Sequence, residues 1–263
     1  MKTSKKAVIF VIIYAIAITM IYFFMQEAAD FEKIANNLTY LHPIIPAVFG
    51  FFAFRYFGIK TLSGKSLLFL LIGVMSWVLG DILWWMLGAD GSVTFADFVY
   101  LIGYLSISTG IVFGVKTIDS NFFSNKKRLL MICMIAVIAV VIYFKVFPLA
   151  WNPESTPLEN MVASGYVLGD FIILISTVAI ILTALGGSFS RPWIVIGIGV
   201  LSIWIADIYY FLNLDTYKGG NLIDLGWIYG YLLFALGFIF MKETAEKAIE
   251  SDIAEKPVLK NKK

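Results

Sequence analysis

Five aspartates lie inside or at the rims of long apolar segments of this sequence. They are Asp81, Asp97, Asp170, Asp207 and Asp224. No lysine or arginine falls deep enough within those segments to pair with them. An aspartate at the centre of a membrane helix costs about 2.5–3.5 kcal/mol, so such residues usually face the interior of a helix bundle and indicate a functional site. Helical rise places Asp170 near the membrane midplane and the other four in the outer third.

Aromatic residues accompany these aspartates at helical spacing, mostly three or four positions away on the same helix face. Those that we select as candidate ligand-binding residues, together with the five aspartates, are Trp77, Trp84, Tyr100, Tyr104, Tyr166, Tyr210, Trp227 and Tyr231. Carboxylates walled by aromatic rings predict an outward-facing polar pocket for a small amphipathic or cationic ligand.

The same residues also have interpretations that involve no ligand. Asp97 and Asp224 stand at predicted helix N-termini, where the helix dipole favours a carboxylate. Asp81 and Asp207 would act as clamps between helices if Tyr or Trp side chains donated hydrogen bonds to them. Outer aromatic residues are typical of an interfacial belt. Depth favours the pocket for Asp81, Asp170 and Asp207, and leaves both interpretations open for Asp97 and Asp224.

The segments that carry these residues are predicted to be transmembrane helices. The chain has 263 residues, of which 60% are hydrophobic and 14% charged, whereas soluble domains carry about 25% charged residues. Apolar runs of about 20 residues, the length that crosses a bilayer, recur throughout, and helices satisfy their own backbone groups in lipid. We predict an all-α integral membrane protein with eight transmembrane helices, at residues 7–25, 41–58, 66–87, 95–115, 128–148, 160–185, 192–213 and 222–241.

The placement of basic residues predicts the orientation of the chain. If both termini are cytoplasmic, all but three of the 20 lysines and arginines fall on the cytoplasmic side, as the positive-inside rule requires. The exceptions are Lys33, Lys145 and Lys218. This predicts a multi-pass protein of the cytoplasmic membrane, partnered by the lipid bilayer, with a lysine-rich cytoplasmic tail at residues 242–263.

An internal repeat relates the helices that carry the polar residues. The third and seventh helices match at an offset of 126 positions, and the fourth and eighth at 127. The matched pairs include Asp81 with Asp207, Trp84 with Tyr210, Asp97 with Asp224, Tyr100 with Trp227, Gly103 with Gly230 and Tyr104 with Tyr231. A four-helix unit returns the chain to its starting side, so we expect two parallel repeats, residues 1–125 and 126–241.

Several classes of protein are excluded by residues that the sequence lacks. Cys133 is the only cysteine and His42 the only histidine, which excludes a disulfide framework, a histidine metal cluster and a Ser-His-Asp triad of ordinary spacing. There is no P-loop motif, and no lysine lies mid-span to hold retinal. We expect no cofactor, no metal and no nucleic-acid partner.

Four motifs resemble the polytopic N-terminal membrane region of bacterial diguanylate cyclase and phosphodiesterase signalling proteins. They are SWVLGDILWWML, ADFVYLIGYL, GYVLGDFIILI and IADIYYFLNLDTYKGGNLIDLGWIYGYLLFALGF, which follow the order GD-x-x-W, AD-x-x-Y, YP-x-GD and D-x-G-W-x-x-GY of that family. The resemblance covers roughly residues 66–241 and implies a membrane sensor or input module. It singles out the five aspartates with Tyr100, Trp227, Gly230 and Tyr231. Val167 stands where the family usually has proline.

No GGDEF, EAL or kinase domain follows the eighth predicted helix in this sequence. We therefore predict a stand-alone sensory or ligand-binding module that signals through a separate cytoplasmic protein. One alternative is a small transporter in which the aspartates coordinate a cation or relay protons.

A second resemblance, to the YhhN/lysoplasmalogenase family, supports another alternative. Those eight-helix proteins have a GD pair in the third span and an SD-like pair in the seventh, where Gly80-Asp81 and Ala206-Asp207 fit. It implies two aspartates that activate water to hydrolyse an alkenyl ether lipid. The usual polar pattern of that family's fourth span is absent here, and we favour a protein that is not an enzyme.

Overall fold

The computed structural model describes residues 2–28, 30–39, 41–87, 93–119, 122–185, 190–213 and 216–260, and within these ranges it contains helices and turns but no β-strand. The helices are α1 (Lys2–Met25), α2 (Phe31–Thr39), α3 (Ile44–Phe57), α4 (Leu62–Leu87), α5 (Phe95–Ile118), α6 (Lys126–Ala150), α7 (Pro157–Ala184), α8 (Ser190–Leu212) and α9 (Asp224–Lys260). A 3₁₀ turn, Phe122–Ser124, precedes α6.

Seven of the described helices, α1 and α4 to α9, are long and apolar enough to cross a membrane. The apolar parts of these helices begin and end within about six residues of seven of the eight predicted spans, as expected for an all-α membrane protein. The second predicted span, residues 41–58, corresponds to α3, which has 14 residues. Pro43 precedes this helix and Gly58, with a φ of +67°, ends it. At about 1.5 Å per residue, α3 is about 21 Å long, shorter than a hydrocarbon core of about 30 Å.

Two helix pairs, α4–α5 and α8–α9, are closely packed through glycines. A Cβ atom on Gly73 would lie 3.0 Å from the backbone oxygen of Gly103, and one on Gly230 would lie 2.9 Å from that of Gly199. Small residues let helix backbones approach in this way. The close approach brings the candidate side chains of each pair to face one another.

Two further helices join these pairs into one bundle. α7 packs against α5 and α8, while α3 packs against α9 and α4. The α5–α7 contact is tightest where Gly169 lies under the Tyr104 ring, since a Cβ there would stand 2.8 Å from that ring. As a result, α7 carries Asp170 into the centre of the bundle.

Of the three predicted spans that carry none of the candidate residues, the first and fifth, α1 and α6, lie at the periphery, whereas the second, α3, packs between α9 and α4. Most described side chains of α6 and half of those of α1 are exposed, and both helices expose apolar residues, among them Leu130, Val137 and Phe144 of α6. α1 packs mainly on α9, and α6 on α7. Exposed apolar faces of this length suit contact with lipid chains.

Two segments outside the predicted spans are helical: the connection between the first and second spans, and the start of the C-terminal tail. The segment expected to be an outer loop contains the amphipathic α2, whose Phe31 and Ala35 are buried against Tyr22 and Gly220. At the other end, α9 continues beyond its apolar part through the start of the predicted tail. Ion pairs of Lys242 with Glu246 and of Lys247 with Glu243, four residues apart, stabilise that continuation.

Candidate functional site

The α4–α5 pair is clamped by a carboxylate and a phenol. The Tyr100 hydroxyl on α5 donates a hydrogen bond to Asp81 Oδ1 on α4, and both groups are largely buried. Gly80 makes room for this contact, because a Cβ at that position would stand 2.8 Å from the Tyr100 ring. The clamp interpretation of Asp81 therefore finds the tyrosine donor that it requires.

The α8–α9 pair contains the corresponding clamp. Trp227 Nε1 on α9 donates a 2.7 Å hydrogen bond to Asp207 Oδ1 on α8. These two residues are the ones that the sequence offsets match with Tyr100 and Asp81, so matched positions make the same contact with different donors. One difference matters for chemistry. Asp207 Oδ2 is buried and has no hydrogen-bond partner among the described residues.

Asp97 connects a helix N-terminus to a neighbouring helix. It forms a capping box with Thr94, accepting a 2.7 Å hydrogen bond from the Thr94 backbone N–H. Its other oxygen accepts a 2.9 Å hydrogen bond from the Tyr166 hydroxyl of α7. Thr94 was not among our candidates, although a threonine three positions before an acidic residue is a helix-start signal. Both oxygens of Asp97 are thus engaged in holding α5 against α7.

Asp224 is the most enclosed of the aspartates at helix starts, with a relative exposure of 2%. Its Oδ1 accepts a hydrogen bond from the Tyr217 hydroxyl and its Oδ2 one from the Gly220 N–H, each 2.8 Å long. Tyr22 of α1 also lies close to it. Burial, and then the adjacent Asp224 carboxylate, raise the pKa of Tyr217, which keeps this phenol a donor. Tyr217 was not among our candidates, because its partner is defined by the loop and not by helical spacing.

Asp170 differs from all the others. Its relative exposure is 1%, and neither of its oxygens has a hydrogen-bond partner among the described residues. The carboxyl lies close enough to Asp207 and to the Tyr104 hydroxyl to interact with both electrostatically. A carboxylate only accepts hydrogen bonds, so two of them in contact cannot satisfy each other.

An aromatic wall joins the two halves around these carboxyls. Trp77 packs edge-on against Tyr104 and Tyr231, with ring centroids 5.5 and 6.0 Å apart, and Tyr166 packs against Tyr100 and Tyr104. A second group of rings, formed by Tyr210, Tyr217 and Trp227, lies beside Asp207 and Asp224. The structure therefore brings together all the candidate aromatic residues except Trp84. That side chain is 41% exposed, as expected for an interfacial belt.

No described ion pair includes any of the five aspartates. The described salt bridges join Asp119 with Arg128 and the two lysines of α9 with its glutamates. Among the described residues there is also no group of three or more His, Cys, Asp or Glu side chains arranged to hold a metal. The negative charge of the central carboxyls is therefore not balanced by a described basic side chain.

Two hydroxyl residues that we did not select also lie in this part of the bundle. Ser108 on α5 and Thr177 on α7 are 7% and 0% exposed, and the oxygen of each lacks a hydrogen-bond partner among the described residues. Neighbouring hydroxyls on the same helices, such as Thr109 and Ser176, bond the carbonyl four residues earlier. Their sequence signal is position: Ser108 is one turn beyond Tyr104, and Thr177 two turns beyond Asp170.

Comparison with known proteins does not assign the chain to a family. No protein-family model, no curated protein and no solved structure matches it.

Proposed function

We propose that this chain is a membrane-embedded ligand-binding module with a sensory role, and that its ligand carries a positive charge. The observation that carries the proposal is the carboxyl of Asp170, buried in the bundle beside Asp207 with no basic residue to balance it. Burying an isolated carboxylate costs free energy. Ionisable residues inside a membrane helix bundle therefore usually mark a functional site.

The surroundings of this pair favour a cation. Two like charges in a medium of low dielectric constant repel strongly, and a positive ligand between them converts that repulsion into attraction. Tyr104 lies beside Asp170, and Trp227 beside Asp207. The rings of this wall also offer apolar surface for an apolar part of the ligand.

The proposal reduces the ligand-binding aspartates from five to two, Asp170 and Asp207. It assigns structural roles to the other three. Asp97 and Asp224 use both oxygens to anchor helix starts and loops. Asp81 serves as the clamp between α4 and α5. Ligand contact then centres on Asp170 and the free oxygen of Asp207.

The proposed topology has eight membrane segments with both termini cytoplasmic, arranged as two parallel repeats. It is supported by the equivalent clamps and by the matched glycine contacts Gly73–Gly103 and Gly199–Gly230. α9 carries Trp227 and Tyr231 of the site and continues as a helix past the apolar segment. We propose that this helix relays ligand binding to a separate cytoplasmic protein, as the resemblance to bacterial signalling proteins implies.

Thermal unfolding of the purified full chain tests this function. Small amines, quaternary ammonium ions and alkali-metal ions are compared at constant ionic strength. We expect at least one to raise Tm in a saturable way. Asp170→Asn should abolish the shift, whereas Asp81→Asn, the matched clamp residue of the first half, should retain it. If no cation stabilises the protein through Asp170, the proposal is wrong.

A cation-coupled transporter is the second candidate, because Asp170 lies near the middle of its helix and thus near the midplane. Proteoliposomes with an imposed pH or sodium gradient separate the two functions. Uptake that is driven by the gradient and lost in Asp170→Asn would show that the protein is a transporter and not a sensor. The lipid-hydrolase alternative gains less from the geometry, because Asp81 and Asp207 are clamped within separate helix pairs.

A further inference from the structure

Asp170 and Asp207 bring two carboxyl groups together in the bundle, and the negative charge of such a pair requires a neutralising group. Three carboxyl oxygens, both of Asp170 and Oδ2 of Asp207, are buried without a hydrogen-bond partner among the described residues, and the Tyr104 hydroxyl lies close to Asp170. Either a shared proton or a cation must lie between such groups for both to remain buried.

Two hydroxyl residues without a hydrogen-bond partner among the described residues, Ser108 and Thr177, lie further inward than this pair. Contacts of Gly165 with Leu101 and of Gly169 with Tyr104 show that α5 and α7 run in the same direction and give their register. In that register Ser108 lies one turn below Tyr104 on the face that meets α7. Thr177 lies seven residues, or about 10 Å, below Asp170.

The orientation of Thr177 is informative. Its methyl group faces α8, where a Cβ on Gly197 would stand 3.5 Å from Thr177 Cγ2. Its hydroxyl does not bond the carbonyl four residues earlier, as that of Thr183 on the same helix does. An unpaired hydroxyl in an apolar bundle is unfavourable, so the oxygens of Thr177 and Ser108 are suited to a polar occupant of the interior.

Apolar side chains lie inward of these hydroxyls. Below Thr177 the bundle is closed by Ile180 and Ile196, both fully buried, and by Trp193, which is packed against Gly114. Asp207, the outermost residue of the set, is partly exposed. The unpartnered oxygens therefore lie on the predicted outer side of an apolar layer.

We propose that Asp170 and Asp207 bind a monovalent alkali cation of the sodium type, with Ser108 and Thr177 holding its waters below. This inference rests on the proposed function and names its ligand class. Carboxylate and hydroxyl oxygens are the ligands that hard cations prefer. Ca²⁺ in proteins takes about six to eight oxygen ligands, and Mg²⁺ requires near-ideal octahedral geometry with several retained waters, whereas the described residues provide no third acidic group at the pair.

Sodium titration of the purified full chain tests the assignment. Tm is followed as NaCl replaces N-methyl-D-glucamine chloride at constant ionic strength and pH. We expect a saturable rise in Tm that is absent in Asp170→Asn and in Asp207→Asn, and retained in Asp81→Asn. Ser108→Ala and Thr177→Val should weaken the apparent affinity for sodium about three- to tenfold, the effect of one or two lost hydrogen bonds. Thr177→Ser should restore it.

The outcomes separate this inference from the function on which it rests. If organic ammonium ions stabilise the protein through Asp170 but sodium does not, the sodium site is wrong and the ligand-binding function stands. If lowering the pH alone reproduces the stabilisation and sodium has no effect, the pair binds a proton and the inference is also overturned. If neither class of cation acts through Asp170, both proposals fall. A sodium effect that persists in Asp170→Asn and Asp207→Asn contradicts the site.

Discussion

The α4–α5 pair and the α8–α9 pair share the same arrangement of residues, but only the α8–α9 pair contributes to the candidate binding site. Each has an aspartate on its first helix that accepts a hydrogen bond from an aromatic donor on its second, and each packs through matched glycines. Yet Asp81 belongs to a self-contained clamp, whereas Asp207 keeps one oxygen free and faces a second carboxyl.

The difference comes from the helices that flank the two pairs. α7 packs on α5 and α8, and α3 packs on α9 and α4, so α3 and α7 occupy corresponding places. α7 contributes Asp170 and Tyr166, but α3 has no acidic residue along its 14 positions. A shared structural clamp has thus become a candidate binding site in one half only, through a residue that the neighbouring helix supplies.

The largest effect should follow from filling the glycine contacts. In Gly230→Ala the new Cβ would meet the backbone oxygen of Gly199, which cannot move aside, while in Gly103→Ala it would meet the Trp77 side chain. We expect a loss of about 1–3 kcal/mol in unfolding free energy, with Gly230→Ala at the upper end. Gly165→Ala is the matched control, since its contact with Leu101 is looser. Denaturant titration in detergent measures all three, and equal stability of Gly230→Ala and Gly165→Ala would contradict the packing.

Removing the clamp donors should have an effect of similar size. Tyr100→Phe leaves Asp81 without its donor, and Trp227→Phe does the same for Asp207. We expect each to reduce the unfolding free energy by about 1–3 kcal/mol, because a buried charged acceptor is left unsatisfied. A double-mutant cycle of Tyr100→Phe with Asp81→Asn should show a coupling energy near the single-mutant loss. Additive effects would mean that the pair does not act as a clamp.

The sign of the next effect separates Asp170 from Asp81. Without sodium or another ligand, Asp170→Asn removes a buried carboxyl that has no hydrogen-bond partner in the described structure, so we expect it to raise stability by about 1 kcal/mol. Asp81→Asn removes a bonded acceptor and should lower it. Both variants are compared by Tm in sodium-free buffer. Destabilisation by Asp170→Asn to the same extent as by Asp81→Asn would assign Asp170 a structural role like that of the clamp.

These contrasts also show what the sequence could reveal. Hydropathy located the long helices, and the offsets of 126 and 127 identified Asp81 with Asp207 and Tyr100 with Trp227, because both depend on local patterns. That those residues bond each other, and that Asp170 meets Asp207, depends on the register between helices, which no spacing along one helix encodes. The short α2 was missed for a similar reason, since its buried face is defined by Gly220 and Tyr22, far away in the chain.

The outer ends of the two pairs provide the smallest predicted effect. Asp97 caps its own helix, but its counterpart Asp224 bonds Tyr217 in the preceding loop. Burial and Asp224 raise the pKa of Tyr217 above its unfolded value of 10.0, so the folded state holds that proton more tightly. The stabilisation is therefore complete below about pH 10 and declines at higher pH, as the unfolded state loses its proton first. Tyr217→Phe should make the fall in Tm between neutral and strongly alkaline pH shallower than in the wild type, at the cost of a slightly lower Tm at pH 7. Equal alkaline slopes in the two proteins would show that the Tyr217–Asp224 contact does not order this loop, and would remove the distinction between the two outer ends.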